Sequence, residues 1–452
     1  MTPTLLSRPA APSGNANACI TPRMVVVQSG ARDAYQVALA LAEAGLLERL
    51  VTDLFWPADR AWARTLAGHL PRGLQAMARQ RSEPGLPSSA VHLQAINGGL
   101  TLVLDKLRCV PTKLRRGMMR HADAALGRTA GRLANRRNAG LLSYSYYGFD
   151  AFTEYAGRGM LFQLHPHPAS MRRLLLDELA AHPDCAASLQ QEWELALPEA
   201  DFQHLVRETS MAQSFLAASS FTRSTLVENG TPAEAVHVVP YGVDFLRFAP
   251  DRSRRSLTGG KLRLLFVGRI NQRKGIKYLL EAMRLVDSDQ VELTVCGRVV
   301  DDLELFRPFA DRIQIRPDVS AEELVAAYQA ADLFVFPSVA EGFGQVLLES
   351  LACGLPILST THTAAPDLIE SGRQGFVVEP RQPEQLADRI AWSLTHRAEL
   401  FAMREEARLL AEQFTWQRFR EGVVQAVRQS FTDGRATLPP LSQPTGRAHH
   451  AL

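Results

Sequence analysis

Two series of short apolar runs, each alternating with amphipathic stretches, constrain the fold of this chain more than any other feature of its sequence. The runs are rich in β-branched residues, as in MVVVQ at 24–28 and VELTVCG at 291–297, and the stretches between them have helical spacing. Strands that alternate with helices in this way form parallel sheets covered by helices. The sequence therefore predicts an α/β protein with doubly wound sheets.

A polar segment, APDRSRRSLTGGK, separates the two series and is typical of a linker, because it has two glycines and three arginines but few apolar residues. Open parallel sheets bind ligands at the carboxyl ends of their strands, so two such edges around a cleft form a site for two substrates. The expected divisions are a flexible tail at 1–22, an N-terminal Rossmann-like domain at 23–248, the linker at 249–261, a C-terminal Rossmann-like domain at 262–414, a terminal helix at 415–431 and a disordered tail at 432–452.

Composition excludes several classes of protein. The 46% hydrophobic and 21% charged content is that of a globular chain, and no apolar run reaches the ~18 residues that a membrane span needs. The N-terminus lacks the basic start and apolar core of a secretory signal. The five cysteines form no C-x-x-C pair, which argues against a disulfide framework and a zinc site. We therefore expect a cytoplasmic protein.

Positive charge is concentrated between residues 101 and 140, where ten basic side chains face only Asp105 and Asp123. The basic residues are Lys106, Arg108, Lys113, Arg115, Arg116, Arg120, Arg128, Arg132, Arg136 and Arg137. Such a segment suits an anionic membrane surface, an anionic substrate or nucleic acid, and a solvated basic face is an equal alternative. No nucleic-acid-binding module accompanies it. We therefore rank peripheral contact with the inner face of the membrane, or an anionic acceptor, above nucleic acid.

The segment EGFGQVLLESLACGLP at 341–356 is the strongest functional signal. Gly342 and Gly344 allow close approach of a ligand, and the helix that starts near Gly344 directs free N–H groups at the cleft, which suits a diphosphate. Glu349 lies in an otherwise apolar helix, where a carboxylate needs a partner such as the hydroxyls of a ribose. Glu341 is placed to meet a transferred sugar. The simpler alternative is that both acids are ordinary surface residues.

Two further segments supply candidates at strand ends. In FVGRINQRKG, Arg269 follows a strand and Lys274 precedes a helix, so that both can neutralise a diphosphate. In LFQLHPHP, the strand ends at His165, which would point into the cleft, and His167 is the weaker candidate. The first strand-to-helix loop has a single glycine, Gly30, for which a plain turn is a competing interpretation.

Together, E-G-F-G-x-x-x-x-E at 341–349, R-x-x-x-x-K at 269–274, PYGVD at 240–244 and His165 resemble the retaining glycosyltransferases of family 4, which have the GT-B fold. The resemblance is clearest from about 215 to 431 and looser from 23 to 214. It implies two Rossmann-like domains facing across a cleft, with the final helix crossing back onto the first domain.

The resemblance also implies a role for each matching residue. These roles are phosphate binding by Arg269 and Lys274, ribose binding by Glu349, contact with the donor sugar by Glu341 and His165, backbone N–H groups from Phe343 and Gly344, and approach to the diphosphate by Gly30. Gly342 is predicted as a further donor-binding residue. In this family the first loop usually has two adjacent glycines, whereas here Ala31, Arg32 and Asp33 follow Gly30.

The resulting prediction is a retaining, metal-independent glycosyltransferase that needs no cofactor and uses a UDP- or GDP-sugar and a glycan or lipid-linked acceptor. The alternatives are a nucleotide-sugar epimerase or phosphorylase of the same fold and a non-catalytic nucleotide- or sugar-binding protein.

Overall fold

The computed structural model describes residues 21–94, 112–251, 253 and 260–432. Its strands form two wholly parallel sheets, in the order β3-β2-β1-β4-β5-β6-β7 and β10-β9-β8-β11-β12-β13. The strands are β1 (Met24–Val27), β2 (Leu47–Thr52), β3 (Val91–Leu93), β4 (Gly140–Tyr144), β5 (Gly159–Gln163), β6 (Ser214–Ala217), β7 (Val236–Val238), β8 (Leu262–Val267), β9 (Val291–Cys296), β10 (Ile313–Arg316), β11 (Leu333–Phe336), β12 (Ile357–Thr360) and β13 (Gly375–Val378).

Helices connect the strands in both halves of the chain, of which the first contains β1–β7 and the second contains β8–β13. They are α1 (Gln36–Glu43), α2 (Ala61–His69), α3 (Arg72–Gln80), α4 (Thr112–Arg137), α5 (Gly148–Thr153), α6 (Pro168–Ala181), α7 (Ala186–Leu189), α8 (Trp193–Ala196), α9 (Glu199–Met211), α10 (Ser220–Glu228), α11 (Ile276–Val286), α12 (Ala321–Ala330), α13 (Gln345–Ala352), α14 (Ala365–Leu368), α15 (Pro383–Thr395), α16 (Arg397–Ala411) and α17 (Trp416–Thr432).

The order of strands in each sheet is that of a doubly wound fold. In both sheets the chain begins at a central strand, moves outward to one edge and then returns to fill the other side. Central strands such as β1 and β11 are buried along their whole length, as expected when helices cover both faces of a parallel sheet. The predicted α/β fold with two Rossmann-like units is confirmed.

The last helix belongs to the core of the first sheet. On α17, Phe419, Val423, Ala426 and Val427 are buried among residues of the first sheet and its helices. The chain therefore passes between the two halves twice, once through 249–261 and once between α16 and α17.

Several elements differ from their sequence-based limits. The spacing of residues 186–213 predicts a helical segment, which the structure divides into the three helices α7, α8 and α9. Pro198 immediately precedes α9 and fixes the backbone at its start. The sequence also predicts a helix near 302–311, but this stretch forms only a short 3-10 helix at Leu303–Phe309, which contains Pro308. The short strand β3 and the helix α16 were not predicted.

Parts of the two expected tails and of the basic segment lie outside the described residues. Residues 1–20 and 433–452, which include most of the two predicted tails, lie outside the described residues, as do Lys106 and Arg108. Within the described ranges, no helix combines the length and apolar character needed to cross a bilayer. The same ranges contain no group of three or more His, Cys, Asp or Glu residues arranged to hold a metal ion.

Candidate active site

Two cavities meet where the carboxyl ends of the two sheets face each other, and Arg32 and His165 line both. The first, which we call the cation cavity, is lined by Arg32, Leu164, His165, Tyr241, Val267, Gly268, Arg269, Arg273, Lys274, Phe336, Glu341, Phe343, Gly344, Gln345 and Val346. The second, the aromatic cavity, is lined by Ser29, Arg32, Asp53, Met119, Arg120, Ala122, Asp123, Leu126, Tyr146, Tyr147, His165, Trp193, Leu197 and Leu205.

The glycine-rich loop before α13 lies against the end of β5. The carbonyl of Gly342 accepts hydrogen bonds from the hydroxyls of Ser219 and Thr222, and a Cβ at this position would collide with the carbonyl of Leu164. Gly344 has a φ of 85°, in the left-handed region that favours glycine, and immediately precedes the first turn of α13. The two glycines therefore let the loop pass close to His165 and turn directly into a helix.

Phe343, between these glycines, is almost fully buried. Its ring packs edge-on against Tyr241 at 5.1 Å between centroids, and its carbonyl accepts a hydrogen bond from the N–H of Ala364. The carbonyl thus has a partner in the protein, and the ligand contact predicted for the backbone N–H of Phe343 stays a prediction.

The predicted phosphate-binding residues lie around a tight turn. Residues Gln272–Lys274 form a 3-10 turn that the side chain of Asn271 caps by accepting a hydrogen bond from the N–H of Lys274. Gly275 follows with a φ of 75°, and a side chain there would collide with the carbonyl of Pro337. Arg269 is exposed, whereas Lys274 is buried.

Acidic side chains already hold the buried cations of this turn. Lys274 forms an ion pair with Glu341 and lies 4.9 Å from the ring centroid of Phe336. Arg273 contacts Glu341 at 3.3 Å and Glu192 at 3.2 Å. Burial and the charge of Arg273 lower the pKa of Lys274 well below its ordinary value, so a further anion in the cavity would stabilise its charged form.

The cation cavity has more positive than negative side chains. Arg32, Arg269, Arg273 and Lys274 line it, and the carboxylates in contact with them are Glu341 and Glu192. Within the described residues, Arg32 and Arg269 form no ion pair. The excess of positive charge suits a ligand with about two negative charges, such as a diphosphate diester.

His165 lies between the cavities. Its ring is 6.1 Å from that of Tyr146, in an edge-on arrangement. Burial, followed by the charges of Arg273, Arg32 and Lys274, lowers the pKa of His165 to about 3. The imidazole is therefore neutral near pH 7 and can exchange hydrogen bonds with hydroxyl groups without adding charge.

His167, the weaker candidate, has a structural environment. Its side chain accepts a hydrogen bond from the N–H of Ala169 as the N-cap of α6, and its other ring nitrogen lies 3.0 Å from the hydroxyl of Thr209. It does not line either cavity.

Glu349 has a partner in the protein. The hydroxyl of Tyr328 donates a hydrogen bond of 2.9 Å to its carboxylate, and burial raises the pKa of this carboxyl group. Gln345 and Val346, one helical turn earlier on α13, line the cation cavity. Glu349 therefore lies on the same face of α13 as Gln345 and Val346, one turn further along the helix from the cavity.

Gly30 is placed differently from the other candidates. Its N–H donates to Asp53 at 2.8 Å, and Asp53 forms an ion pair of 2.9 Å with Arg81. Gly30 does not line the cation cavity, but Arg32, two residues later, does. The departure from the double glycine thus coincides with an arginine at the junction of the two cavities.

The aromatic cavity has the side chains of a polyol-binding site. Tyr146 and Trp193 lie 6.2 Å apart between ring centroids, and Tyr147 adds a third aromatic wall. Asp123 of α4 lines the cavity, and burial raises its pKa to about 7 against the lowering effect of Arg32 and Arg120. Aromatic faces and carboxylates are groups that bind the C–H faces and hydroxyls of sugars.

Sequence reasoning missed Arg273, Glu192, Arg32 and Asp123. Arg273 could have been predicted from the sequence, because it is adjacent to Lys274 in the same basic turn. Glu192 and Asp123 come from helical segments far from any motif, and nothing in the sequence links them to the cleft.

Four arginines of the basic helix α4 pair with acids outside its own segment. Arg120 and Arg128 contact Asp150, Arg132 contacts Glu154, and Arg137 lies near Glu48. The positive charge counted along 101–140 is thus partly balanced by neighbouring elements.

A family model for glycosyl transferases group 1 matches residues 249–410. The D-inositol 3-phosphate glycosyltransferase of Corynebacterium jeikeium is 34% identical over 212 residues, 42% of this chain and 50% of the relative. A GDP-mannose-dependent alpha-(1-6)-phosphatidylinositol monomannoside mannosyltransferase of Mycobacterium tuberculosis is 30% identical over 205 residues, 41% of this chain and 53% of the relative. The chain thus spans about half the length of the curated relatives it matches.

Solved structures resemble the chain over a greater length. Sucrose-phosphate synthase from Thermosynechococcus elongatus has a TM-score of 0.61 at 17% identity and covers 91% of this chain and 99% of its own. Anabaena HepE in complex with UDP and glucose has a TM-score of 0.56 at 16% identity, with 90% and 100% covered. At these identities the likeness establishes the fold. The match to glycosyl transferases group 1 thus extends over residues 249–410, and the two sheets together have the GT-B fold.

Proposed function

We propose that this protein is a retaining, metal-independent glycosyltransferase that moves a sugar from a UDP- or GDP-sugar to an acceptor bound in the aromatic cavity. The observation that carries the proposal is the convergence of Arg269, Arg273, Lys274 and the glycine-rich start of α13 on one cavity. These groups would bind the donor diphosphate. The name of one relative, a GDP-mannose-dependent mannosyltransferase, agrees with this class of donor.

The positive side chains would act on the charge that develops on the leaving group. In the proposed reaction the bond between the anomeric carbon and the diphosphate oxygen breaks, and the acceptor oxygen bonds to the same face of that carbon. The hydroxyl proton of the acceptor passes to the leaving diphosphate. Arg269, Arg273 and Lys274 would stabilise the departing charge, so the proposal requires no metal ion.

Glu341 would exchange partners during binding. In the structure it pairs with Lys274 and Arg273, and a donor phosphate would compete for both cations. Once displaced, the carboxylate would be free to contact the hydroxyls of the donor sugar, which is the role that the resemblance implies. Glu349 would bind the ribose while retaining its contact with Tyr328.

The acceptor would present a hydroxyl to the junction between the cavities. Its ring would lie among Tyr146, Tyr147 and Trp193, with hydroxyl groups near Asp123. Such surroundings favour a glycan or the polyol headgroup of a lipid-linked acceptor. Peripheral contact with a membrane through the basic segment stays a prediction.

The test is ligand-dependent thermal unfolding with UDP, GDP and ADP and their common sugar conjugates. A ligand that binds only the folded protein raises its stability by RT ln(1 + [L]/Kd), so millimolar ligand reveals even weak binding. We expect a shift with UDP or GDP that the Lys274→Ala variant loses and the Lys277→Ala variant keeps. Absence of a shift with all three nucleotides would contradict the proposed donor class.

The stereochemistry and the metal dependence need a second experiment. With the donor identified, proton NMR of the product would show the configuration at the transferred anomeric carbon, which we expect to be that of the donor. Turnover in excess EDTA should equal turnover without it. An inverted product or loss of turnover in EDTA would contradict the corresponding part of the proposal.

A further inference from the structure

A fully buried carboxylate lies at the contact between the two halves of the chain. Glu178 stands on α6 and has no solvent-exposed surface. Helix α6 begins at Pro168, three residues after His165, so that one rigid element joins the edge of the cleft to Glu178. A buried carboxylate must be compensated by hydrogen bonds or an opposite charge.

Every hydrogen-bond partner of the Glu178 carboxylate comes from the second half of the chain, within the described residues. Gln272 donates its side-chain amide at 2.9 Å, and the hydroxyl of Tyr278 lies 3.1 and 3.2 Å from the two carboxylate oxygens. The guanidinium of Arg381 forms an ion pair with Glu178 and also donates to the carbonyl of Leu174 at 2.9 Å. The three donors surround one acceptor from different elements.

Gln272 connects this cluster to the cation cavity. It is fully buried and is the first residue of the turn Gln272–Lys274. Its amide nitrogen bonds to Glu178, while its amide oxygen accepts a hydrogen bond from the N–H of Lys277 at 3.2 Å. The two residues that follow it, Arg273 and Lys274, line the cation cavity. The position of their backbone thus depends on a side chain that Glu178 holds.

A second carboxylate of the first half holds the preceding residue in the same manner. Glu192 accepts a hydrogen bond of 2.8 Å from the side chain of Asn271, which caps the turn. Residues 271 and 272 are therefore fixed from the first half of the chain, and residues 273 and 274 face the cavity. The first two residues of this stretch thus position the turn, and the next two would touch a ligand.

The cluster is poorly explained as an aid to stability alone. Burial of the Glu178 carboxylate costs desolvation free energy, and its ion pair with Arg381 gives little net stability in return, because the guanidinium is about a third exposed and solvent screens its charge. Arg381 also adopts a φ of 63°, in a region that non-glycine residues rarely occupy, and such backbone strain is typical of functional contacts. A contact that is costly and geometrically specific suits a role in positioning.

We propose that Glu178 is a positioning residue of the donor site, which holds Gln272 and thereby sets Arg273 and Lys274 for the diphosphate when the two halves are in contact. This inference rests on the proposed function. Because α6 also begins beside His165, the same helix fixes both sides of the cleft relative to each other. Opening of the cleft would release the turn, so that the complete phosphate site exists only in the closed form.

The first test is the Glu178→Gln variant, which keeps the shape of the side chain but removes its charge and one strong acceptor. A misplacement of about 1 Å in groups that act on the transition state lowers turnover by up to about 100-fold. We expect kcat to fall about 10–100-fold with the identified donor and the KM for the acceptor to stay within about twofold. Asp184→Asn is the matched control, since it removes the neighbouring ion pair between the halves, to Lys277, without touching Glu178.

The single variant Gln272→Met tests the path through Gln272 without Glu178→Gln, and a double-mutant cycle of the two tests whether both act through one contact. Gln272→Met breaks the link to the turn but leaves Glu178 with Arg381 and Tyr278, so this variant should fold even if Glu178→Gln does not. We expect Gln272→Met to reproduce the fall in kcat and the double variant to add little to it, because both changes act through one contact.

The outcomes separate the two proposals. Wild-type turnover together with an unchanged kcat in Gln272→Met, or equal losses in Glu178→Gln and Asp184→Asn, would overturn the positioning role alone. A wild-type protein that neither binds nor turns over a nucleotide-sugar would overturn the proposed function as well.

Discussion

Lys274 touches a carboxylate and an aromatic face at the same time, and both contacts bear on how a phosphate would enter. Its ion pair with Glu341 neutralises a cation that burial would otherwise destabilise, while Phe336 excludes water from one side. To bind Lys274, an incoming phosphate would have to displace the carboxylate of Glu341 rather than a water molecule. Since the carboxylate is released as the phosphate binds, one exchange would both place the donor and free Glu341 for its sugar.

Replacement of Lys274 by alanine tests this residue directly. Loss of one preorganised group that stabilises developing charge lowers turnover by about 10²–10³-fold, and we expect kcat/KM for the donor to fall by that factor. The melting temperature should change little, because Arg273 still pairs with Glu341. Lys277→Ala, which alters a lysine on the next turn that pairs with Asp184, should keep normal turnover. Near-normal activity of Lys274→Ala would contradict the phosphate role.

Asp123 gives the aromatic cavity a pH-dependent group. Burial raises its pKa to about 7, while Arg32 and Arg120 act to lower it and Asp53 and Asp150 act to raise it. The carboxylate therefore becomes charged as the pH rises through about 7. If the charged form binds the hydroxyls of the acceptor, kcat/KM for the acceptor should rise up to about pH 7 and then level off.

The Asp123→Asn variant supplies the comparison for that profile. The amide does not titrate, so the rise near pH 7 should disappear while the affinity for the nucleotide is kept. Steady-state kinetics from pH 5.5 to 8.5 would measure both quantities. A profile that Asp123→Asn leaves unchanged would assign the rise to another group.

Single residues could be predicted where a backbone motif constrains them. Glu341, Gly344 and Lys274 line one cavity as the motif spacing indicates, because glycine conformation and strand ends are local properties. Glu192 and Asp123 could not be predicted, since their place depends on how distant elements pack together. The functional roles of all the candidate residues stay predictions.

At the scale of elements, α6 shows how a predicted candidate can have a structural role instead. His167 caps this helix and is buried, and burial lowers its pKa to about 4. The folded protein thus favours neutral His167, whereas the unfolded chain binds a proton near the ordinary pKa of 6.5. The resulting stability is present above pH 6.5 and is lost as the pH falls towards 4.

We expect this residue to account for about 2 kcal/mol of the fall in the free energy of unfolding between pH 7 and pH 5. His167→Asn keeps a good N-cap residue but removes the titration. Its free energy of unfolding in urea should therefore decrease less over that range than the wild-type value. Equal decreases in the two proteins would show that His167 does not titrate between the folded and unfolded states as inferred.

The glycine-rich loop depends on its contact with β5. In Gly342→Ala the new methyl group would lie against the carbonyl of Leu164 and within 3.0 Å of the His165 Cα, so the loop must move away. Overpacking of this kind costs about 1–3 kcal/mol, and we expect turnover to fall because the start of α13 shifts with the loop.

Gly68→Ala is the matched control for Gly342→Ala. Position 68 lies in α2, and an added Cβ there meets no atom of the described residues within 4 Å. The free energy of unfolding should rise by about 0.5–1 kcal/mol without an effect on turnover. If Gly342→Ala retained wild-type stability and turnover, the close approach of the loop to β5 would be functionally unimportant.

Elements with a clear period could be predicted, and interrupted ones could not. The sequence pattern predicts helices at about 168–181 and 383–395. These are the limits of α6 and α15, both of which begin at a proline that fixes the first turn. The strand β3 has only three residues, too few for alternation to be visible. The helical spacing over 186–213 continues across the two breaks between α7, α8 and α9, so the pattern does not reveal them.

At the scale of the whole molecule, the first half of the chain is completed by the last helix. Phe419 is 2% exposed and packs near Phe162 and Tyr241, which belong to the first half. Removing such a side chain costs about 3–5 kcal/mol. We therefore expect Phe419→Ala to destabilise the first sheet although the change lies 180 residues beyond it.

Hydrogen exchange would locate that effect. Amides of β5 and β6 should lose protection in Phe419→Ala, while those of β8 and β11 keep it. Leu409→Ala, on the half-exposed surface of α16, should leave both sheets unchanged. Loss of protection confined to the second sheet would contradict the assignment of α17 to the first.

The arrangement of the halves could be predicted only in outline. The double series of strands indicates two sheets, but the balance of charge on α4 depends on Asp150, Glu154 and Glu48, which lie elsewhere in the sequence. A count of charge along a segment cannot include partners that only the tertiary structure supplies. Part of the charge counted along 101–140 is therefore balanced in the fold, and contact of this segment with a membrane stays a prediction.

The place of α17 has a consequence for synthesis on the ribosome. After Val239, the last core residue of the first sheet's own series, about 180 more residues must be made before Phe419 leaves the exit tunnel, which takes roughly 10–40 s. During that interval the nascent first half would expose the apolar face that α17 later covers. The core of the second half, by contrast, is complete before α17 is made. The half that is translated first would thus mature last, and chaperones would have their longest opportunity to bind it.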